Sequence, residues 1–193
     1  MKPRALAIPI ILASKSPRRA QLLKQAGFTF TVRAKDTPED YPEELNPDEV
    51  AEYLAKKKAE AAKEFLSKEE EVILASDSIV ILDGVIYEKP TDRADAIRIL
   101  QKLAGRSHRV LTGVCLLSEH KCISFTGMSK VELAEMTQEE IEHYVDAYEP
   151  YDKAGAYAIQ EWIGLCKINR IEGTYPNIMG LPVNLVYHHL LNF

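Results

Sequence analysis

Within six residues near its start the chain turns from wholly apolar to strongly basic, and few local folds accommodate that change. Ile10-Ile11-Leu12-Ala13 reads as a buried strand, and Ala20–Ala26 reads as a helix. The link, Ser14-Lys15-Ser16-Pro17-Arg18-Arg19, holds two hydroxyls and three cations. Ser16 is a good N-cap, Pro17 suits the first helical turn, and Gly27 is a natural C-terminal stop. A strand that feeds straight into a helix start brings backbone N–H groups, the positive end of the helix dipole and two arginines to one place. Phosphates bind well there. The same run also fits an ordinary capped helix with solvated arginines.

Charge separates these readings. Every charged side chain up to Lys35 is basic (Lys2, Arg4, Lys15, Arg18, Arg19, Lys24, Arg33, Lys35), and Asp36 is the first acid. The whole chain nevertheless carries a net charge of -5, with a pI near 5.6. A nucleic-acid coat protein carries a basic surplus over a whole face. A basic patch confined to one segment of an acidic chain suits a small anionic ligand better.

At 193 residues the chain can build a sizeable core as one large domain or two closely joined lobes. No apolar run reaches the roughly 18–20 residues of a membrane span. The stretch Ala5–Ala13 runs straight into Lys15 and Arg18 without a cleavage context, so a secretory leader is not expected. Cys115, Cys122 and Cys166 are odd in number and lack paired spacing, which points to a reducing cytoplasm and to thiols serving as small core residues. The five histidines show no metal spacing; His188 and His189, being adjacent, would diverge by about 100° on a helix.

Strand and helix patterns alternate, as in an α/β protein. A polar loop covers Asp36–Asn46, and Asn46-Pro47-Asp48-Glu49 then opens a helix whose apolar stripe includes Val50, Leu54 and Ala55. Of the adjacent Lys56, Lys57 and Lys58, one can face inward. Two apolar runs, Val72–Ala75 and Ile79–Leu82, are interrupted by Ser76-Asp77-Ser78, and Asp83-Gly84 predicts a tight hairpin into Val85-Ile86-Tyr87. Thr91 or Asp92 caps a helix that stops near Gly105. A long hairpin spans Arg109–Leu117 and Ile123–Leu133, and Thr137-Gln138-Glu139-Glu140 forms a capping box. A strand is expected around Leu165–Ile171 and a final helix from Pro182 through Leu190.

Asp77 is the oddest residue, a carboxylate flanked by serines in an apolar strand. Buried there it needs a cation, a metal or hydrogen bonds. It reads either as a strand-end aspartate bonding its own turn or as a general base or metal ligand at a cleft. Lys89 is held extended by Pro90, and Asp152-Lys153-Ala154-Gly155-Ala156-Tyr157 sets a charged pair before small residues. With Arg18 and Arg19, these lysines would supply the cations that a triphosphate demands. The Walker A pattern, the dinucleotide glycine fingerprint and the nucleophile-elbow serine are all missing from the sequence.

These blocks, in this order, resemble the Maf family of nucleoside triphosphate pyrophosphatases over nearly the whole chain. The family's S-x-S-P-R-R is met by Ser14–Arg19, its A-D-T by Ser76-Asp77-Ser78 and its G-K-P by Glu88-Lys89-Pro90. Its D-K-A-G-A-Y is intact at Asp152–Tyr157, with Ile159-Gln160 following, and N-x-x-G-L-P is intact at Asn177–Pro182. Serine replaces alanine at Ser76 and threonine at Ser78, Glu88 replaces glycine, and Thr37-Pro38 stands where valine and aspartate are commoner.

The resemblance implies a mixed α/β fold, Maf/ITPase-like, with a long curved sheet flanked by helices and two lobes around a deep cleft. It implies hydrolysis of a nucleoside triphosphate to the monophosphate and pyrophosphate with a divalent cation (Mg or Mn), in a protein that dimerises with itself. By the same token Asp77 is the proton acceptor, Glu39 its metal-associated partner, and Lys89 completes the catalytic set. Ser14, Ser16, Arg18, Arg19, Lys58 and Lys153 fall at positions that bind substrate, and Glu39 and Asp77 at those that hold the metal. Arg18, Ser78 and Gln160 match the branch that prefers dTTP and UTP and, by extension, modified pyrimidines. A glutamine amide donates and accepts, as the O4 and N3–H edge of uracil or thymine requires. Two alternatives stay open: the same chemistry on a purine or 7-methyl-GTP, and a non-catalytic nucleotide- or nucleic-acid-binding regulator of septation. The acidic net charge argues against nucleic acid.

Overall fold

The computed structural model describes residues 3–193. In chain order the elements are α1 (Arg4–Ala7), β1 (Ile10–Leu12), α2 (Pro17–Gln25), β2 (Phe30–Val32), α3 (Pro47–Ala61), β3 (Val72–Leu82), β4 (Val85–Tyr87), α4 (Arg93–Leu103), β5 (Ser107–Leu117), β6 (Cys122–Leu133), α5 (Gln138–Tyr148), α6 (Trp162–Cys166), β7 (Ile168–Glu172), α7 (Tyr175–Met179) and α8 (Val183–Leu191). Short 3-10 turns lie at Lys63–Phe65, Pro150–Asp152 and Ala154–Ala156. The strands are ordered β2-β1-β3-β5-β6-β7, with β4 paired to β3. Pairing is mixed: β1 is parallel to β2 and β3, whereas β3–β4 and β6–β7 are antiparallel.

Two compact units divide the chain. The first comprises Met1–Asp77, Thr112–Gly127 and Gly180–Phe193, and the second Ser78–Leu111 and Met128–Met179. The first unit's core gathers Ile11, Ala13, Ala55, Ala59, Ile73, Ala75, Cys115 and Leu117. Helix α3 lies so close to its sheet that a Cβ at Gly113 would fall 2.2 Å from the Ala51 carbonyl carbon. Only glycine permits that approach. The second unit's core is built from Val80, Leu82, Leu100, Leu103, Val131, Leu133, Ile141 and Tyr144 among others, with α4 against α5.

Local signals worked as their physics requires. Asn46 accepts the Asp48 N–H at 3.0 Å and Asp92 that of Asp95 at 2.9 Å, each cap worth about 1 kcal/mol. Thr137 and Glu140 close both halves of a capping box. Asp83 and Gly84, with φ of 53° and 79°, make the two-residue turn that pairs Leu82 with Val85.

Several expectations need correction. Strand β3 is continuous through Asp77, because each polar side chain in it finds a partner instead of breaking the ladder. Ser16 occupies the N-cap position of α2 without a side-chain cap bond; its own N–H donates instead to Ser14 Oγ at 3.2 Å. The expected strand at Leu165–Ile171 is helical at its start, as α6 runs to Cys166 and β7 begins only at Ile168. A short apolar run alone does not separate helix from strand. Cys115 is buried, but Cys122 and Cys166 are exposed, so only one thiol fills core space. Among the described residues, no helix is long and apolar enough to cross a membrane.

Candidate active site

The first unit brings together most of the residues singled out above. Ser14 follows β1, where the chain leaves the sheet, and is 7% exposed. Its Oγ accepts from Arg19 Nη1 at 3.0 Å, while Arg19 Nε donates to the Gly180 carbonyl at 2.8 Å. The same carbonyl accepts from the Ser76 hydroxyl at 3.0 Å. One backbone oxygen thus joins the start of α2, the middle of β3 and the segment leading into α8. Ser76, a departure from the family's alanine, supplies a hydroxyl that alanine could not.

Asp77 is the next residue along β3 and points to the opposite face from Ser76. Its Oδ1 pairs with the Lys58 ammonium, which also meets Glu39 Oε1 at 2.7 Å. Lys58 is therefore the inward member of the lysine triplet. Lys57 bonds Asp40 at 2.7 Å and Lys56 bonds Glu52 at 3.0 Å, both further out. The Lys57 hydrogen bond pulls the Asp40 carboxyl below its usual range. The irregular stretch after Asp36 is thereby pinned along α3, and this brings Glu39 to the ion cluster.

Burial pulls the Arg19 guanidinium below its ordinary pKa; Asp77 and Glu39 oppose that shift, and neighbouring Arg18 reinforces it. Arg19, Glu39, Lys58 and Asp77 therefore form one electrostatic group. Arg18 and Ser16 are half-buried beside it at the head of α2.

Ser78, Lys89, Lys153 and Gln160 belong to the second unit. Lys89 is exposed just after β4. Lys153 is 8% exposed, with Nζ 2.7 Å from Asp152 Oδ1 and 3.5 Å from Glu161 Oε1. The turn that follows takes φ of 72° at Gly155 and 58° at Ala156, and a Cβ at Gly155 would fall 2.8 Å from Val80 Cγ2. Gln160 Oε1 is buried with no hydrogen-bond partner, an acceptor left for something else to satisfy.

No group of three or more His, Cys, Asp or Glu among the described residues could hold a metal ion alone. Glu39 and Asp77 do converge on one cation, the Lys58 ammonium. Two carboxylates completed by phosphate oxygens and water are the usual donor set for Mg²⁺. The residues present fit such an ion.

Residues 9–193 match the family described as Maf-like protein. The chain belongs to the Maf family. Among its curated relatives, the dTTP/UTP pyrophosphatase of Porphyromonas gingivalis is 45% identical over 186 residues, covering 95% of this chain and 94% of that one. Those of Bacteroides thetaiotaomicron (44% over 182 residues, 94% of each chain) and Flavobacterium psychrophilum (43% over 183 residues, 95% and 93%) are similar in extent. Among solved structures, the Staphylococcus aureus Ham1 protein aligns with a TM-score of 0.48 at 20% identity, over 66% of this chain and 72% of that one. The Maf motifs supply Arg19 and Asp77 of the ion cluster, with Ser14 and Gly180 beside them, whereas Glu39 and Lys58 lie outside those motifs.

Three further residues carry no sequence motif that marks them as functional: Glu161, Tyr144 (an inward residue of the helix that Thr137 caps) and His108. Tyr144 and Glu161 are hydrogen-bonded to each other, and His108 Nε2 lies 2.8 Å from the Tyr157 hydroxyl. Only Tyr157 stands inside a motif, and no spacing ties it to His108.

Proposed function

We propose that this chain hydrolyses dTTP and UTP to the nucleoside monophosphate and pyrophosphate. The observation that carries the reading is Asp77, a carboxylate held in a buried strand beside Lys58, Glu39 and Arg19. Family membership and the printed activity of relatives 43–45% identical over almost their whole length support the substrate class.

Release of pyrophosphate requires water to attack the α-phosphorus while negative charge collects on the departing β-phosphate. Asp77 takes the proton from that water. Arg18, Arg19, Lys58, Lys89 and Lys153 bind the phosphates and stabilise the charge that develops, with Ser14 and Ser16 donating hydrogen bonds. Glu39 and Asp77 would hold a divalent cation, Mg or Mn, which when bound neutralises phosphate charge and lowers the pKa of its water. The buried Gln160 Oε1 accepts the N3–H of uracil or thymine, and Arg18 and Ser78 complete base selection. We take the protein to act in the cytoplasm, as its three free thiols suit, and as a homodimer, as the Maf resemblance implies.

The test is pyrophosphate release by the purified chain with Mg²⁺ or Mn²⁺ from dTTP, UTP, CTP, a purine triphosphate and 7-methyl-GTP. Turnover of dTTP and UTP well above the others supports the reading. Preference for a purine or for 7-methyl-GTP would reject the base assignment. Release from none, together with salt-dependent binding to duplex DNA, would leave a regulator instead.

A further inference from the structure

Lys153 is held by two carboxylates of different character. Asp152 is 62% exposed and well solvated, so its pairing adds little. Glu161 is 19% exposed and is itself fixed, because its Oε2 accepts a hydrogen bond from the Tyr144 hydroxyl. The same phenolic oxygen accepts the Ala158 N–H at 3.1 Å. Tyr144 is fully buried in α5 and stacked on Tyr148, with ring centroids 4.9 Å apart. One phenol therefore fastens the backbone at Ala158 and the carboxylate at Glu161, with Gln160 between them. On the other side the Gly155 N–H donates to the Glu88 carbonyl at 3.2 Å, tying the turn to the end of the β3–β4 hairpin.

We propose that Glu161, oriented by Tyr144, is a positioning residue for pyrophosphate release: it sets the Lys153 ammonium and the neighbouring Gln160 amide as one rigid piece. The ammonium hydrogen-bonds Asp152 and feels the fixed Glu161 charge at 3.5 Å from another side, so its remaining donors are biased in direction toward a phosphate oxygen. The inference rests on the reading of Lys153 as a phosphate ligand.

A double-mutant cycle with dTTP tests it. Glu161→Gln keeps a group able to bond Tyr144 but removes the charge that orients Lys153. It should lower kcat/KM about tenfold or more in the wild-type background, yet change it by less than about twofold in Lys153→Ala. Tyr144→Phe, which keeps the ring, should show the same dependence on Lys153 and supplies the test if Glu161→Gln folds poorly. Inhibition by tripolyphosphate, which has no base, should weaken in Glu161→Gln as it does in Lys153→Ala. Equal losses in both backgrounds would overturn the positioning role. Wild-type kinetics in Lys153→Ala would instead overturn the phosphate-ligand reading beneath it.

Discussion

The Lys58 ammonium and the Asp77 carboxylate form an ion pair whose side chains are only 16% and 11% exposed. An aspartate so enclosed needs its cation, because an unpartnered buried charge is strongly destabilising. Asp77→Asn keeps the shape and leaves Lys58 its contact with Glu39. Turnover of dTTP should fall by about two to four orders of magnitude while the folded structure survives. Circular dichroism and steady-state kinetics check both halves, and a wild-type rate would remove Asp77 from the chemistry.

Arg19 spans Ser14 Oγ and the Gly180 carbonyl from two different nitrogens. A lysine offers one point charge where the guanidinium offers a fork. Arg19→Lys should therefore cost about 1–3 kcal/mol of stability. That corresponds to roughly 3–10 °C in Tm, measurable by calorimetry. An unchanged Tm would mean that these two bonds contribute nothing net.

His108 is buried against Tyr157, its Nδ1 has no partner, and burial lowers its pKa from 6.5 to about 4. The unfolded chain takes up a proton as pH falls through 6.5, and the folded chain does not until about pH 4. This contribution is present in full above the unfolded value and is lost progressively as pH falls between the two. The loss is on the order of 3 kcal/mol. Urea midpoints at neutral pH and near pH 4.5 should therefore diverge more in wild type than in His108→Gln. Equal divergence in the two proteins would show that His108 titrates normally.

Gln160 should decide the base. Gln160→Glu replaces an amide that donates and accepts with a carboxylate that only accepts. Hydrolysis of dTTP and UTP should drop by about tenfold or more relative to a guanine nucleotide. Parallel kcat/KM measurements on dTTP, UTP and GTP read this directly, and an unchanged ratio would move base selection elsewhere.

What the sequence made legible was local. Asn46-Pro47, Asp92, the Thr137 box and Asp83-Gly84 carry their geometry within four residues, and each forms as its chemistry dictates. Asp77 stood out as anomalous for the right reason, but its strand does not break. Its partner lies 19 residues away, and that of Ser76 lies 104 away. Such distant pairings leave no trace in the spacing of apolar residues. Ser16 shows the converse failure, a good cap by type at the N-cap position whose side chain makes no cap bond. Glu161 and Tyr144 resemble any charged and any aromatic residue on a helical pattern, and only folding reveals that they meet.

Gly113 carries a constraint out of proportion to its size. Helix α3 rests on it at Ala51, and the same helix bears Lys58 about two turns further along. Even a methyl group at 113 would act as a wedge under one end of a lever, prising up the helix and swinging the ammonium at the other. A displacement of about 1 Å in a reacting group can cost a hundredfold in rate. With Lys58 as the phosphate ligand proposed above, catalytic tolerance is thus limited by a strand residue that contributes no functional group at all.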